Sequence, residues 1–290
     1  MTGGRGWMVR QGLLLTVMML AALYSVAHSV AMVSEWGLGW DAHAYYVMWE
    51  HGPYDAPPGF LDAFNYSPAF AQLLWPLTHL PWPLFLGLVM AGSVVALWWL
   101  TRPMPVVLRV LMLAICSVQV TSGNIDWVIA LGAVVGLQHG GAWVFAALTK
   151  VVPTLGPLWF VARGEWRRLG VFMATLAVVV ALSYALSPGL WHDWIDFLGD
   201  HADRRPGMAT DLLPPLWARV VLAVAITVLA ARRSSPWLLP VAMVVAAPVP
   251  GTGSWALLAA IPRLRRWTAE PVAADVPATP EPIPARTTDQ

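Results

Sequence analysis

From Leu13 to Val33 the chain runs without an Asp, Glu, Lys or Arg, and further apolar runs recur almost to its end. A helix of about 20 apolar residues spans the hydrocarbon of a bilayer. Of 290 residues, 58% are hydrophobic and 11% charged, where a soluble domain carries about 25% charged residues. Such a chain cannot cover a water-facing surface, so lipid must be its main solvent. A backbone in lipid has to satisfy its own hydrogen bonds, which leaves helical bundles or closed barrels. The runs are continuous and do not alternate every second residue, so the spans are helices. The expected fold class is an all-α polytopic membrane protein with about 9–10 transmembrane helices.

Ten runs qualify as spans: Leu13–Val33, Pro68–Leu80, Pro83–Leu100, Val106–Val120, Ile125–Leu137, Ala142–Ala162, Leu169–Leu186, Leu213–Ala231, Trp237–Val249 and Trp255–Ile261. The first exceeds a signal-peptide core and ends without a small-residue cleavage site, so a retained helix is expected. Basic residues in short loops set orientation. Arg5 and Arg10 put the N-terminus in the cytoplasm, and ten spans bring Ala162–Arg168, Ala231–Ser235 and Arg263–Trp267 back to that side. The misfits are Arg204 and Arg205 in an outer loop, and Arg102 in an outer turn after the third span. This reading gives a membrane domain over 1–267, with outer loops at about 34–67 and 187–212. The segment 268–290, rich in Pro, Ala, Thr and acidic residues, is expected to be a disordered cytoplasmic tail. Both termini then face the cytoplasm.

A net charge of +1 gives no reason to expect a nucleic-acid partner. Cys116 is the one cysteine and lies in an apolar run, which excludes a disulfide framework or a cysteine-based metal site. Asp41 and His43 stand two apart with no third ligand on the same helical face, so no metal is expected. Nor is any other cofactor expected.

The loop Gly39–Phe70 is the least membrane-like part of the first half, carrying Asp41, Glu50, Asp55 and Asp62 with no Lys or Arg. Asp41 and Tyr45 are four apart, which puts them on one face of a helix. Trp36, Trp40, Tyr45, Tyr46, Trp49 and Tyr54 suit the headgroup layer. A short interfacial helix would hold the Asp41 carboxylate between bundle and membrane surface. It is either a solvated loop charge or a general base, since a carboxylate near lipid binds a proton more readily and can take one from a sugar hydroxyl. Lys150 is the only lysine, and it falls inside an apolar run where an unpaired charge costs a few kcal/mol or more. It either serves a substrate or pairs within the bundle, with Asp126 a candidate partner. In the second outer loop His201, Arg204 and Arg205 could reach a phosphate or assist a base, yet Asp200 and Asp203 interleave with them and could pair with them instead. Arg219 is a weaker phosphate candidate. His43 would face away from Asp41.

The order "WDAHAYY…GPYDAPPGFLDAFNYSPAFAQLLWPL", then "GNIDWVIALGAVVGL", then "ALTKVVPTLGPLWFVARGEWRRL" resembles glycosyltransferase family 87. These are polyprenyl-phosphomannose-dependent α-mannosyltransferases of the GT-C superfamily, and the motif positions are Asp41, Tyr54, Tyr66 with Pro68, Gly123 with Asn124, and Lys150 with Pro153. The resemblance implies a GT-C-type bundle whose first outer loop bears interfacial helices. It also implies a polyprenyl-phosphate-linked sugar donor and a glycolipid or glycan acceptor, met at the outer face of a plasma membrane. Asp41 would be the inverting general base and His201 its late-loop partner. Lys150, Arg204, Arg205, Tyr45, Tyr66 and Asn124 would bind donor phosphate or substrate. Mannose follows from the resemblance alone. A transporter or flippase of a lipid-linked sugar, with discontinuous helices at mid-membrane, is the alternative from another class. A non-catalytic scaffold on the same fold is a third.

Overall fold

The structure is a computed structural model that describes residues 3–150, 154–201, 213–248 and 251–269. All regular elements among them are helical. Helix α1 (Gly3–Trp36) presents Leu13, Val17, Leu20, Leu23 and Val30 outward, each more than half exposed. Its inner face is small: Ala22, Ser25 and Ser29 are buried, and Ser29 Oγ donates to Ser117 Oγ at 2.9 Å. Small residues let helix backbones approach where lipid supplies no hydrophobic drive. Helices α1, α4 (Trp82–Thr101) and α10 (Trp166–Leu186) are long and apolar enough to cross a membrane. The other elements are shorter, broken by proline, glycine or polar turns. Helices α2 (Trp40–His51) and α11 (Pro188–Asp200) fill the two loops expected to lie outside. The tail expected over 268–290 lies outside the described residues from 270 onward, as do Arg204 and Arg205.

The run Pro68–Leu80 does not form a span. It holds α3 (Pro68–Leu74), then the break at Trp75 and Pro76, then a 3-10 turn at Leu77–His79. Seven helical residues rise about 10 Å, a third of the hydrocarbon thickness. Leu80 stays beside α2, its carbonyl accepting from the Tyr46 hydroxyl at 2.9 Å. Helix α4 therefore starts beside α2 and ends at the far side of the bundle, where Arg263 donates to the Trp99 carbonyl at 2.7 and 3.0 Å.

Arg102 consequently sits at the same end as Arg263, which corrects its placement in an outer turn. Helices α5 (Val106–Ile115) and α6 (Ser117–Ser122) climb back, from Arg109 donating to the Arg102 carbonyl to Thr121 accepting from the Gly39 amide. Helix α7 (Asp126–Gly136) descends to a 3-10 turn at Gly140–Ala142, where Gly140 lies against the Arg168 carbonyl with no room for a side chain.

The run Ala142–Ala162 is likewise not one span. Helix α8 (Trp143–Thr149) rises from the Gly140 turn to Lys150, whose backbone leaves the helix at φ −127° and ψ 88°. Helix α9 (Gly156–Arg163) then returns, and Arg163 donates to Ala231 O and Ser234 Oγ. Those acceptors close α12 (Leu216–Arg232). Helix α13 (Leu239–Ala246) rises again to Ala247. A 3-10 segment, Thr252–Ala260, and α14 (Ile261–Ala269) come back to Arg263 and Arg265, with Arg265 over the Trp237 ring at 4.7 Å. Arg102, Arg109, Arg163, Arg168, Arg232 and Arg263 thus share one end of the bundle.

The core between these elements is contiguous and apolar, with Leu97, Ile129, Trp143, Phe160, Leu239 and Met243 almost fully buried. Trp143 is gripped between Gly136 and Gly156, and a side chain on either glycine would occupy the indole's space. Arg219 is buried at the opposite end from the basic cluster. Its guanidinium donates to the carbonyls of Pro214, Val245, Ala247 and Pro248, so it ties α12 to the end of α13 and has little left for a phosphate.

Candidate active site

The site lies at the end of the bundle away from the arginine clusters, where α2, the α6–α7 break and the end of α8 converge. Helix α2 is set by Gly39, at φ 82°, whose amide donates to Thr121 O at 2.8 Å. This puts Asp41 in the first turn, over the end of α6. There Gly123, at φ 70°, closes α6 so tightly that a Cβ on it would stand 2.5 Å from the Ala42 Cβ. The left-handed conformation and the close approach both call for glycine.

The break then hands Asn124 to Asp41. The Asn124 backbone amide donates to Ser122 Oγ at 3.1 Å, and its carbonyl accepts from the buried Gln119 side chain. Its side-chain Oδ1 accepts the Asp126 amide at 3.1 Å and the Lys150 ammonium at 3.4 Å. Two donors on Oδ1 fix the orientation of the amide, so Nδ2 is the atom that donates to Asp41 Oδ2, at 2.9 Å.

Lys150 ends α8, facing this break. Its Nζ donates to Asp126 Oδ1 at 2.5 Å, with the Asp126 side chain 3% exposed and that of Lys150 24%. The candidate pairing with Asp126 is therefore present, and it brings into the candidate site a carboxylate that the sequence offered only as a pairing partner. Its signal was a lone carboxylate opening an apolar run, two residues after Asn124.

An aromatic wall completes the site. Tyr45 follows Asp41 by one turn, and its hydroxyl lies 3.1 Å from that of Tyr66. Phe64 and Phe70 pack edge-on against these rings, with centroids 5.3–6.4 Å away. The chain entering α3 is pinned to α8 by Ser67, whose Oγ and amide both donate to Leu148 O. Tyr54 donates to the Tyr66 carbonyl at 3.0 Å, and burial pushes its phenol well above the usual range. One more polar group is tied off: His43 turns away from Asp41, as expected, and meets Asp62 at 2.7 Å.

His201 sits apart from the Asp41 cluster. It caps α11, its ring Nδ1 is 2.8 Å from Phe197 O, and it lines a cavity of about 330 Å³ with Tyr54, Asp55, Asp193, Asp196 and Asp200. Among the described residues no hydrogen bond joins it to Asp41. No group of three or more His, Cys, Asp or Glu side chains among the described residues could hold a metal ion.

The fold and site define a polytopic helical membrane protein with a carboxylate, an amide and an ammonium brought together at one end of the bundle. The family model of glycosyltransferase family 87 matches residues 64–278. The chain belongs to that family and is a membrane glycosyltransferase. The matched residues include Tyr66, Asn124, Asp126, Lys150 and His201, whereas Asp41 precedes them and is joined to them by the Asn124 amide. No curated protein and no solved structure matches the chain.

Proposed function

We propose that the chain moves a hexose, mannose by family resemblance, from a polyprenyl monophosphate to a hydroxyl of a glycolipid or envelope glycan, with inversion at the anomeric carbon. Asp41 is the general base. The observation that carries this reading is the Asn124 amide on Asp41 Oδ2: it orients the carboxylate through a neutral donor, while the ammonium beside it is paired with Asp126. The Ser122 side chain also hydrogen-bonds the Asp41 carboxylate, and Asp41 keeps partial exposure, through which an acceptor hydroxyl would reach it.

In the reaction the acceptor O–H gives its proton to Asp41 and the oxygen attacks the anomeric carbon from the face opposite the phosphate. The bond from that carbon to the phosphate oxygen breaks, and the polyprenyl phosphate leaves with the electron pair. Lys150 uses two N–H groups on Asp126 and Asn124 and keeps a third for the departing phosphate. Tyr45 and Tyr66 offer hydroxyls and ring faces to a sugar. His201 and the acidic cavity beside it are assigned to the acceptor side, with Arg204 and Arg205 proposed as phosphate ligands from the adjoining loop. Positive-inside bias supports a reading with the arginine end in the cytoplasm and the Asp41 end on the outer face, and the family resemblance supports the plasma membrane. Nucleotide sugars are not available on that outer face, which suits a lipid-linked donor.

The purified protein, incubated with radiolabelled polyprenyl-phosphate mannose and a membrane glycolipid extract, should yield an α-linked labelled product. Unchanged donor would contradict the assignment. The broken α8–α9 pair favours one second reading, a flippase, which the same lipid tests: a change in its sidedness without transfer would support that function.

A further inference from the structure

We infer that Asp126 is a positioning residue for the reaction: it fixes Lys150, and through Lys150 the amide of Asn124, so that the amide's NH2 edge faces Asp41. The inference rests on the reading of Asp41 as the base. Its observation is the order of contacts Asp126 Oδ1 to Lys150 Nζ at 2.5 Å, Lys150 Nζ to Asn124 Oδ1 at 3.4 Å, and Asn124 Nδ2 to Asp41 Oδ2 at 2.9 Å.

An Asn side chain presents an acceptor at one edge and donors at the other, and a half-turn about its last bond exchanges them. In the exchanged orientation Oδ1 would oppose the Asp41 carboxylate, acceptor against acceptor, and that carboxylate would lose its amide donor and keep only the Ser122 side chain. Two donors oppose the exchange. One is the Asp126 backbone amide, which any residue at 126 supplies. The other is the ammonium, which stays in place because the Asp126 carboxylate holds it. Released from that carboxylate, the ammonium has Asp41 itself as its nearest remaining anion, since Asp41 and Asp126 both lie within its electrostatic reach. A direct Lys150–Asp41 pair would occupy the base. The Asp126 side chain therefore keeps the cation close to the base without letting it bind there.

The test is a mutant cycle on the purified protein with radiolabelled polyprenyl-phosphate mannose, reading kcat, donor KM and the thermal midpoint in detergent. Asp126→Asn keeps the size and the backbone amide. It should lower kcat about tenfold or more with donor KM within about twofold of wild type, as for a base moved out of line and not for lost substrate binding. Asp126→Glu, which can still hold the ammonium, should recover part of the loss. Asn124→Ala added to Asp126→Asn should cost less than the two single losses combined, because both changes disorient one amide.

Additive losses in kcat would overturn the inference, as would a normal kcat in Asp126→Asn. If wild type transfers nothing from this donor, the proposed function fails and the cycle is read in thermal midpoints. Non-additive shifts for residues 124 and 126 then support the wiring, and additive shifts overturn it. Asp126→Asn paired with Lys150→Met guards against misfolding from a stranded charge, since it removes both ions together.

Discussion

Asn124 donates its side-chain amide to Asp41 at 2.9 Å across 83 positions of sequence, and this bond ties α2 to the break between α6 and α7. Neither residue belongs to a long span. Each sits beside a glycine in the left-handed conformation, Asp41 two residues after Gly39, which opens α2, and Asn124 directly after Gly123, which closes α6. The turns hold the polar groups together at the end of an apolar bundle.

Loss of the amide should therefore resemble partial loss of the base. Asn124→Ala is expected to lower kcat by about 10²-fold, the scale of a small misplacement of a reacting group. Asn124→Asp should do worse, since it sets a second carboxylate against Asp41. Steady-state kinetics on the two variants gives the comparison, and equal activity of Asn124→Asp and wild type would contradict it.

Gly123→Ala tests the turn itself. A non-glycine residue in the left-handed region costs roughly 1–2 kcal/mol, and the new Cβ would press on Ala42 at 2.5 Å. The thermal midpoint should fall and transfer should fall further, because α2 carries Asp41 away as it yields. Gly12→Ala, with open space around its Cβ, is the control and should change neither.

Lys150→Met leaves Asp126 buried without its cation. Stripping one partner from a buried ion pair costs about 3–5 kcal/mol, and removing both can be close to neutral. Thermal melts should show Lys150→Met strongly destabilised and Lys150→Met with Asp126→Asn recovered toward wild type. A melt unchanged in the single variant would show that the pair does not form.

The apolar runs and the helical class were legible in the sequence because lipid allows so few solutions. The path through the membrane was only half legible. Counting Pro68–Leu80 as a span and Ala142–Ala162 as one span are two misreadings that cancel. The first segment never leaves the α2 end, and the second goes up as α8 and down as α9. The basic clusters Ala162–Arg168 and Ala231–Ser235 therefore fell on the same side in either count, and Arg102 alone carried the discrepancy. Hydropathy cannot see that α8 and α9 run in opposite directions when both lie inside one apolar run. At the candidate site, Asp41, Tyr66, Asn124 and Lys150 stand out in the sequence by motif order and Tyr45 by its helical spacing from Asp41. Their wiring does not, because it depends on which edge of one amide faces which neighbour.

The shared end of Arg102 and Arg263 can be checked directly. Cys116 is buried and is the sole native cysteine, so single cysteines can be labelled against a quiet background. Arg102→Cys and Arg266→Cys should react with an impermeant maleimide from the same side of sealed vesicles, and Phe60→Cys, on the Asp41 side, from the opposite side. Labelling of Arg102→Cys together with Phe60→Cys would overturn the chain path described here.

The most direct measurement of the central claim is single-turnover sugar transfer by Asp41→Asn, an isosteric change that keeps the contact with Asn124 but removes the proton acceptor. A positioned base contributes typically 10²–10⁴ in rate. The account predicts a loss in that range with donor binding retained. Turnover within a few-fold of wild type would show that the proton goes elsewhere.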